Sequence, residues 1–509
     1  MAPKWGIKFA VYLITNHFGK IVAKVCENLL DHGALTLDLV IRYTELSPEH
    51  VKNSLLVLIQ HNCVQAFVAQ GGDEDGSRAK TQYMVLFDNI LHRLRFPKFM
   101  EIVSGELDDK CAKIFEGLLR DGRLNTKQMV DRESQGKENA VAAAAVRESL
   151  LKLLMARYVE RCPLPEARVV EGEIITKKRG AKGAQVNFKA PATTEQRVIE
   201  AAVRGDMIRF SLNADIGCNS DGETNPADTS VAENNAKEDF ILWRANFEEF
   251  TRHLRDKALI ENVRARIDDG AAIVLSAILK ATRTKDKEVK IEKSVPLPLD
   301  TIFSEVIKTE NGRTMTIDRV RASLVQLGCS NQMLYEYIVD LKHIIRWARN
   351  EEVESIVLKR YGRDAYRMFR HLSKENQFCP TDKLADATLV EKKEAPKLLF
   401  QLWKENFLHM EKLSVTGANT KPVLILMWKV NQPLLWENVL DEMYHGALNL
   451  KLRMAFEQEK EEEIINTPKA KINESVPLLK KYKRLQNVLL LLGSSLMKLD
   501  DALMLFHDF

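Results

Sequence analysis

A chain of 509 residues, 45% hydrophobic and 29% charged, is long enough for several domains and too apolar for wholesale disorder. Its 75 basic and 71 acidic residues leave a net charge of only +4, which excludes a polycation and makes any nucleic-acid contact local. The seven cysteines, at 26, 63, 111, 162, 218, 329 and 379, show no metal-knuckle or redox spacing and fit a reducing compartment.

The first residues, Met1 to Gly6, lack the apolar core of a signal peptide. No apolar run approaches the ~20 residues that span a bilayer, so a soluble intracellular protein is expected, without membrane contact. A short helix at 4–15 leads into a first module. Phe18, Ile21, Val22, Val25 and Leu29 recur at helical spacing, and Thr36 opens a short second helix. Ser47 and Pro48 start a third helix with Val51, Leu55, Leu58 and Ile59 on its buried face. The period then changes to two: Val64, Ala66 and Val68 are answered by Tyr83, Val85 and Phe87 around a glycine-rich tip at 71–76. Helix, short helix, helix, hairpin is the order of a winged helix, whose third helix enters the groove when such a unit binds DNA.

A second copy is expected at 88–161, after a break at Phe96-Pro97, with helices at 107–118, 124–130 and 141–154 and no obvious wing. Residues 162–239 read as a charged flexible linker with a short helix at 195–203. Its basic block, Lys177, Lys178, Arg179 and Lys182, reads as a phosphate contact, a nuclear import signal or a solvated linker. A third module is expected at 240–340. It begins with Trp243, Phe247, Phe250 and Leu254 on one helical face, more readily core than nucleic-acid platform despite the arginines around it. A fourth, at 341–430, has a third helix at 398–407, core residues that include Leu389 in its second helix, and a hairpin around 416–419.

From 431 to 509 the pattern is a heptad seam in two pieces. Trp436, Leu440, Met443, Ala447, Leu450 and Met454 make the first, and Leu478, Tyr482, Leu485, Leu489, Leu492 and Leu496 lead the second. Acidic residues at 457–463 and Pro468 separate them, so an antiparallel coiled-coil hairpin that docks on a module or partner is expected. The fold class is therefore mainly α with small β-hairpins: four tandem winged helices followed by that hairpin.

No phosphate loop, dinucleotide fingerprint, zinc-protease helix or nucleophile elbow occurs, so no catalytic residues, cofactor or metal are expected. Base-reading side chains are thin on the first module's third helix: Lys52, Asn53 and Gln60, with His50 at its start. Arg313, Arg319 and Arg321 in the third module, and Lys392, Lys393 and Lys397 in the fourth, suit phosphates without choosing bases. Weak, salt-sensitive, non-specific DNA contact is the expectation, with most of the winged-helix surface given to protein docking.

Several stretches resemble one family. They include HFGKIVAKV and VKNSLLVLIQHNCV, GELDDKCAKIFEGLLRDGRLN and YVERCP, then WRANFEEFTRHLRDKALI and ESIVLKRYGRDAYRMFR. Together they look like the tandem winged-helix subunit of nuclear RNA polymerase III, the largest member of its peripheral heterotrimer, similar in plan to the large subunit of TFIIE. The likeness runs through nearly the whole chain except the linker and the segment near 457–476. It implies four extended winged helices and a C-terminal coiled coil, on a non-catalytic nuclear subunit. It also implies docking on the polymerase clamp with two companion subunits, cooperation with a TFIIIB-type initiation factor, help in promoter opening, and contact with DNA, including single strands. It carries over no individual DNA-contacting residue. A free sequence-specific factor and a winged-helix scaffold of another assembly remain the competing readings.

Overall fold

A computed structural model describes residues 3–70, 80–133, 139–163, 167–170, 193–203, 205–212, 241–283, 290–331, 336–415, 423–468 and 475–509. It divides into two compact units, Ile7–Phe250 and Thr251–Phe509, with Pro3–Gly6 belonging to the second.

In the first unit, helices Lys4–Phe18, Lys20–His32, Leu37–Thr44 and Pro48–Gln60 precede strands Val64–Gln70 and Lys80–Val85. The start of Pro48–Gln60 is set locally. Ser47 Oγ accepts from the His50 N–H, satisfying one of the four amides a helix start leaves open, and Pro48 needs no such partner. The strands pair antiparallel from Val64↔Val85 to Ala69↔Lys80, and Leu35–Thr36 adds to the outer side of the second. The remaining edge is taken by Ala167–Val170, parallel to Val64–Gln70 with Phe67 opposite Ala167. Helix Thr194–Ala202, held by a reciprocal Thr193–Gln196 cap, lays Val198 and Ala202 against Phe67, Met84 and Leu86. The expectation of one flexible linker over 162–239 is thereby corrected. An unpaired strand edge and a patch of apolar side chains recruit two of its segments.

The second module corrects three further expectations. Helix Phe87–Glu106 runs through Pro97 without the expected break. A proline inside a helix costs about 3 kcal/mol, and burial of Ile90, Leu91, Leu94, Phe99 and Val103 opposes that cost. The module also has a wing. Leu242–Ala245 pairs with both Leu124–Asn125 and Val159–Arg161, so the sheet closes only after the linker. The boundary at 240 is corrected with it: 242–245 completes the second module, and Trp243 sits on a strand rather than a helix. The aromatic residues are core, as the spacing favoured. Phe250 stacks on Phe99 at 4.8 Å and on Tyr158 at 4.7 Å, and Trp243 is fully buried.

The two modules of this unit meet at the end of Pro48–Gln60. Gln60 Nε2 donates to the carbonyls of Asp121 and Arg123, and Arg123 Nε donates to Asn62 Oδ1. His61, beside Phe18 at 4.6 Å, is buried enough, with the Arg93 guanidinium adding to the effect, to be pulled down to about 4 from 6.5. The folded protein then keeps His61 neutral where the unfolded chain has taken up a proton. Stability should fall as pH drops from about 6.5 towards about 4, by less than the full shift would give, because solvent still reaches the ring and screens it. Urea unfolding across that range should show the loss, and His61→Gln should flatten it; an equal slope in the variant would assign the effect elsewhere.

In the second unit, helices Asp269–Thr282, Leu299–Lys308 and Ile317–Gln326 precede a sheet of order 297–298, 336–338, 330–331. Ala272, Leu275, Ile302, Val306, Val320 and Leu324 form part of its core. Helix Leu341–Glu375 is broken at Gly362, whose φ of 87° no L side chain adopts easily. Thr381–Thr388, Ala395–Lys404 and the strands His409–Val415 and Val423–Lys429 complete the fourth module. Its buried Trp428 donates to Thr381 Oγ1 at 2.8 Å. Leu389, expected in the core, is 87% exposed in a left-handed conformation; Val390 is buried instead. The left-handed cap turns the chain one residue early, which puts the next side chain inward.

Helices Gln432–Lys460 and Val476–His507 pack on each other. On the second, Leu485 and Leu496 are buried, and Leu478, Tyr482, Leu489 and Leu492 are half-buried. The first also carries a second buried set, Leu435, Val439, Tyr444 and Leu448. Trp5 stacks on His445 at 3.8 Å, and its backbone N–H donates to Asp441 Oδ1.

Candidate docking and nucleic-acid interface

Each module offers its third helix, and each of these helices buries one stripe and leaves the opposite face open. On Pro48–Gln60 the open face holds Lys52, Asn53 and Leu56, and Leu56 is 64% exposed. The other two polar candidates are engaged. His50 Nδ1 lies 2.8 Å from Ser47 Oγ, and Gln60 is spent on the Asp121 and Arg123 carbonyls. A helix with one lysine and an exposed leucine at the middle of its open face is poorly equipped to hydrogen-bond base edges.

The same chemistry recurs. Leu151 and Met155 are exposed on Asn139–Met155, Val325 on Ile317–Gln326, and Phe400 and Trp403 on Ala395–Lys404. Trp403 stands edge-on to Phe400 with centroids 6.2 Å apart. Scattered apolar side chains on a surface are ordinary. Their recurrence on the open face of all four third helices is a pattern, and exposed apolar side chains set among polar ones mark protein interaction surfaces, with Trp403 of the type that serves as an anchor. Leu56 and Phe400 are hard to single out in sequence because each sits next to a stripe residue, Leu55 and Leu399, and the spacing puts Trp403 on the buried stripe itself, where the structure does not place it. Extra apolar residues outside the stripe were the available signal.

The cationic candidates separate. Lys177, Lys178, Arg179 and Lys182 lie outside the described residues. Arg319 donates to Asp268 at 2.6 Å, and Asp268 caps Asp269–Thr282 by accepting from the Ala271 N–H. Arg319 therefore ties two helices of its own module together. Arg321 pairs with Asp318, Lys392 with Asp386 and Lys397 with Glu394. These exposed pairs hold the side chains weakly and leave them able to exchange a carboxylate for a phosphate. Arg313 and Lys393 are exposed and form no ion pair among the described residues. The arginines and the lysines belong to two different modules, so the structure does not gather them into one site. Among the described residues no group of three His, Cys, Asp or Glu could hold a metal ion, and no helix is long and apolar enough to cross a membrane.

Known proteins match this layout. A model of the RNA polymerase III subunit RPC82 helix-turn-helix domain matches residues 8–69, from the first helix to the first strand of the hairpin. A model of RNA polymerase III subunit RPC82 matches 148–348, and one of the POLR3C C-terminal winged-helix domain matches 353–430. DNA-directed RNA polymerase III subunit RPC3 of Bos taurus is 23% identical over 480 residues, covering 90% of this chain and 86% of that one. The Homo sapiens subunit is 22% identical with 90% and 85% covered, and the Dictyostelium discoideum subunit 19% identical with 99% of each covered. Successive family models along the chain, and relatives aligned over most of both lengths, agree with the order of helices and small sheets: the chain belongs to the RPC82/RPC3 family of RNA polymerase III subunits.

Proposed function

We propose that the chain is a non-catalytic, nuclear subunit that docks on the RNA polymerase III core, at its clamp, with two companion subunits. There it assists promoter opening and initiation together with a TFIIIB-type factor. In this reading the four helix-and-sheet modules are tandem extended winged helices and the two long C-terminal helices are an antiparallel coiled-coil hairpin. The domains then run 1–87, 88–161 with its wing closed by 242–245, 247–340, 341–430 and 431–509. DNA contact is non-specific, includes single strands, and uses Arg313, Arg321, Lys392, Lys393, Lys397 and the basic block at 177–182.

The observation that carries the docking half is the apolar open face of every third helix. Such a face favours burial against protein over hydrogen bonding to bases. Replacing Leu56 by Glu together with Trp403 by Ala should strip the subunit from polymerase purified from cells. Truncating one interface anchor costs about 2 kcal/mol or more, roughly thirtyfold in affinity. Thermal melts should stay close to those of the parent, because both side chains are exposed. Unchanged stoichiometry in the purified complex would end this assignment of the third helices, and absence of the parent chain from the complex would end the whole reading.

A further inference from the structure

A cavity of about 720 Å³ opens within the second unit, where the start of helix Leu341–Glu375, the end of strand Val423–Lys429 and the start of helix Gln432–Lys460 converge. Its lining side chains include Lys290, Lys342, Arg346, Arg349 and Lys429 against one carboxylate, Glu292. The Phe509 carboxylate also lines the cavity, so the excess is three positive charges. Acidic and basic residues are nearly balanced elsewhere, so the concentration here is local.

The cations are mostly not neutralised. Lys342 pairs with Glu292. Among the described residues, Lys290 donates only to the His507 carbonyl and Arg346 only to the Gln432 side-chain amide. Lys429 lies 5.6 Å over the Phe378 ring. Arg349 is the exception beside Lys342: it donates to the Leu505 carbonyl and, at 2.6 Å, to a carboxylate oxygen of Phe509, and lies over Trp436 at 5.0 Å, which leaves Lys290, Arg346 and Lys429 as the cations with neutral partners. Positive charges gathered in a concave site with neutral partners attract an anion from solvent.

The walls say more about that anion. Phe378 is 36% exposed, and Trp436 brings an indole whose N–H is buried without an acceptor among the described residues. A flat aromatic group bearing negative charge would meet both demands, stacking on a ring and placing its charge among the cations. The volume lies in the range of small-ligand sites, far below what a folded partner needs.

We propose that this cavity binds nucleotide units, with phosphate at Lys290, Arg346 and Lys429 and the base against Phe378 and Trp436, either as a free nucleotide or as exposed units of a single strand. The single-strand form rests on the DNA contact put forward above and gives it a location. A duplex is excluded by the same geometry, because its bases are stacked and paired and cannot reach the two rings.

The test uses the full chain and a fluorescein-labelled oligothymidylate of about ten residues at low salt, read by anisotropy. Arg346→Glu combined with Lys429→Glu should weaken binding roughly tenfold or more and lower the salt slope. Trp436→Phe, which keeps a ring and removes the N–H, should weaken it severalfold. A blunt duplex should bind worse than the single strand. Displacement by thymidine monophosphate would show that a free nucleotide is taken; strand binding lost in the variants without such displacement would show that the strand is the ligand. Equal binding by parent and variants overturns the site, as does hexaglutamate displacing the strand as well as hexathymidylate does. Co-purification with the polymerase is read on the same variants. A parent chain that binds nucleotides but not the polymerase refutes the docking reading and leaves the cavity standing. The reverse result refutes the cavity alone.

Discussion

Glu160→Ala should cost the first unit about 3–5 kcal/mol, the loss seen when one partner of a buried ion pair is removed. Glu160 is 2% exposed and accepts from two guanidiniums, those of Arg209 and, at 2.7 Å, Arg244. Arg244 comes from the strand that closes the second module's sheet, and Arg209 from a helix at 206–209 late in the charged insertion. Arg209 is steadied further by Glu248 at 2.9 Å, and Asn246 ties the same corner to the Arg157 carbonyl. Alanine would leave two arginines, at 13% and 15% side-chain exposure, facing the space of a lost carboxylate. Urea unfolding should register the loss, and protease should cut earlier near 206–212. A joint replacement of Glu160, Arg209 and Arg244 by Leu, Met and Met should recover most of it, since a well-packed apolar set can stand in for a buried ionic one. A loss below about 1 kcal/mol for Glu160→Ala would mean that water already reaches these groups.

Gly122→Ala should be the next most damaging single change, at about 3 kcal/mol or more from backbone strain and overpacking together. Gly122 ends helix Asp109–Asp121 with φ 81°, a conformation that an L side chain resists. A Cβ there would also stand 2.9 Å from His61 Cα and far closer to the Gln60 carbonyl oxygen than van der Waals contact allows. Both obstacles are main chain, so neither can rotate away. The end of the first module's third helix would have to move off the second module, taking the Gln60 hydrogen bonds with it. Differential unfolding and faster amide exchange at 60–63 and 121–125 are the expected signs. Full stability in the variant would show that the two modules are not locked at this point.

Much of the layout was legible along the chain because local chemistry sets it. Ser47-Pro48, Asp108, Asp268 and Thr316 each satisfy an orphan amide within four residues, so the helix starts they mark need no distant partner. The heptad spacing from Leu478 to Leu496 likewise placed the half-buried and buried face of the last helix. The candidate site was less legible. Arg319 reads as a free phosphate ligand until Asp268, some fifty residues away, is seen beside it. Trp403 reads as part of its helix's buried stripe, yet the structure leaves it 41% exposed while Leu399 and Leu402 fill the core.

What the sequence alone determined is the succession of helices and small sheets, and the absence of a recognisable catalytic motif. Periodicity and capping act over a few residues and need no partner to be read. Only the tertiary structure decided which strand closes which sheet. The second module's wing is completed by residues about eighty positions further on, and the first module's edge by a segment near 170. Strand pairing is a long-range bond between generic main-chain groups, which any extended segment with the right neighbours can make. Sequence therefore marks the strands of a local hairpin, and packing decides which distant segments, such as Leu242–Ala245 and Ala167–Val170, become strands beside them.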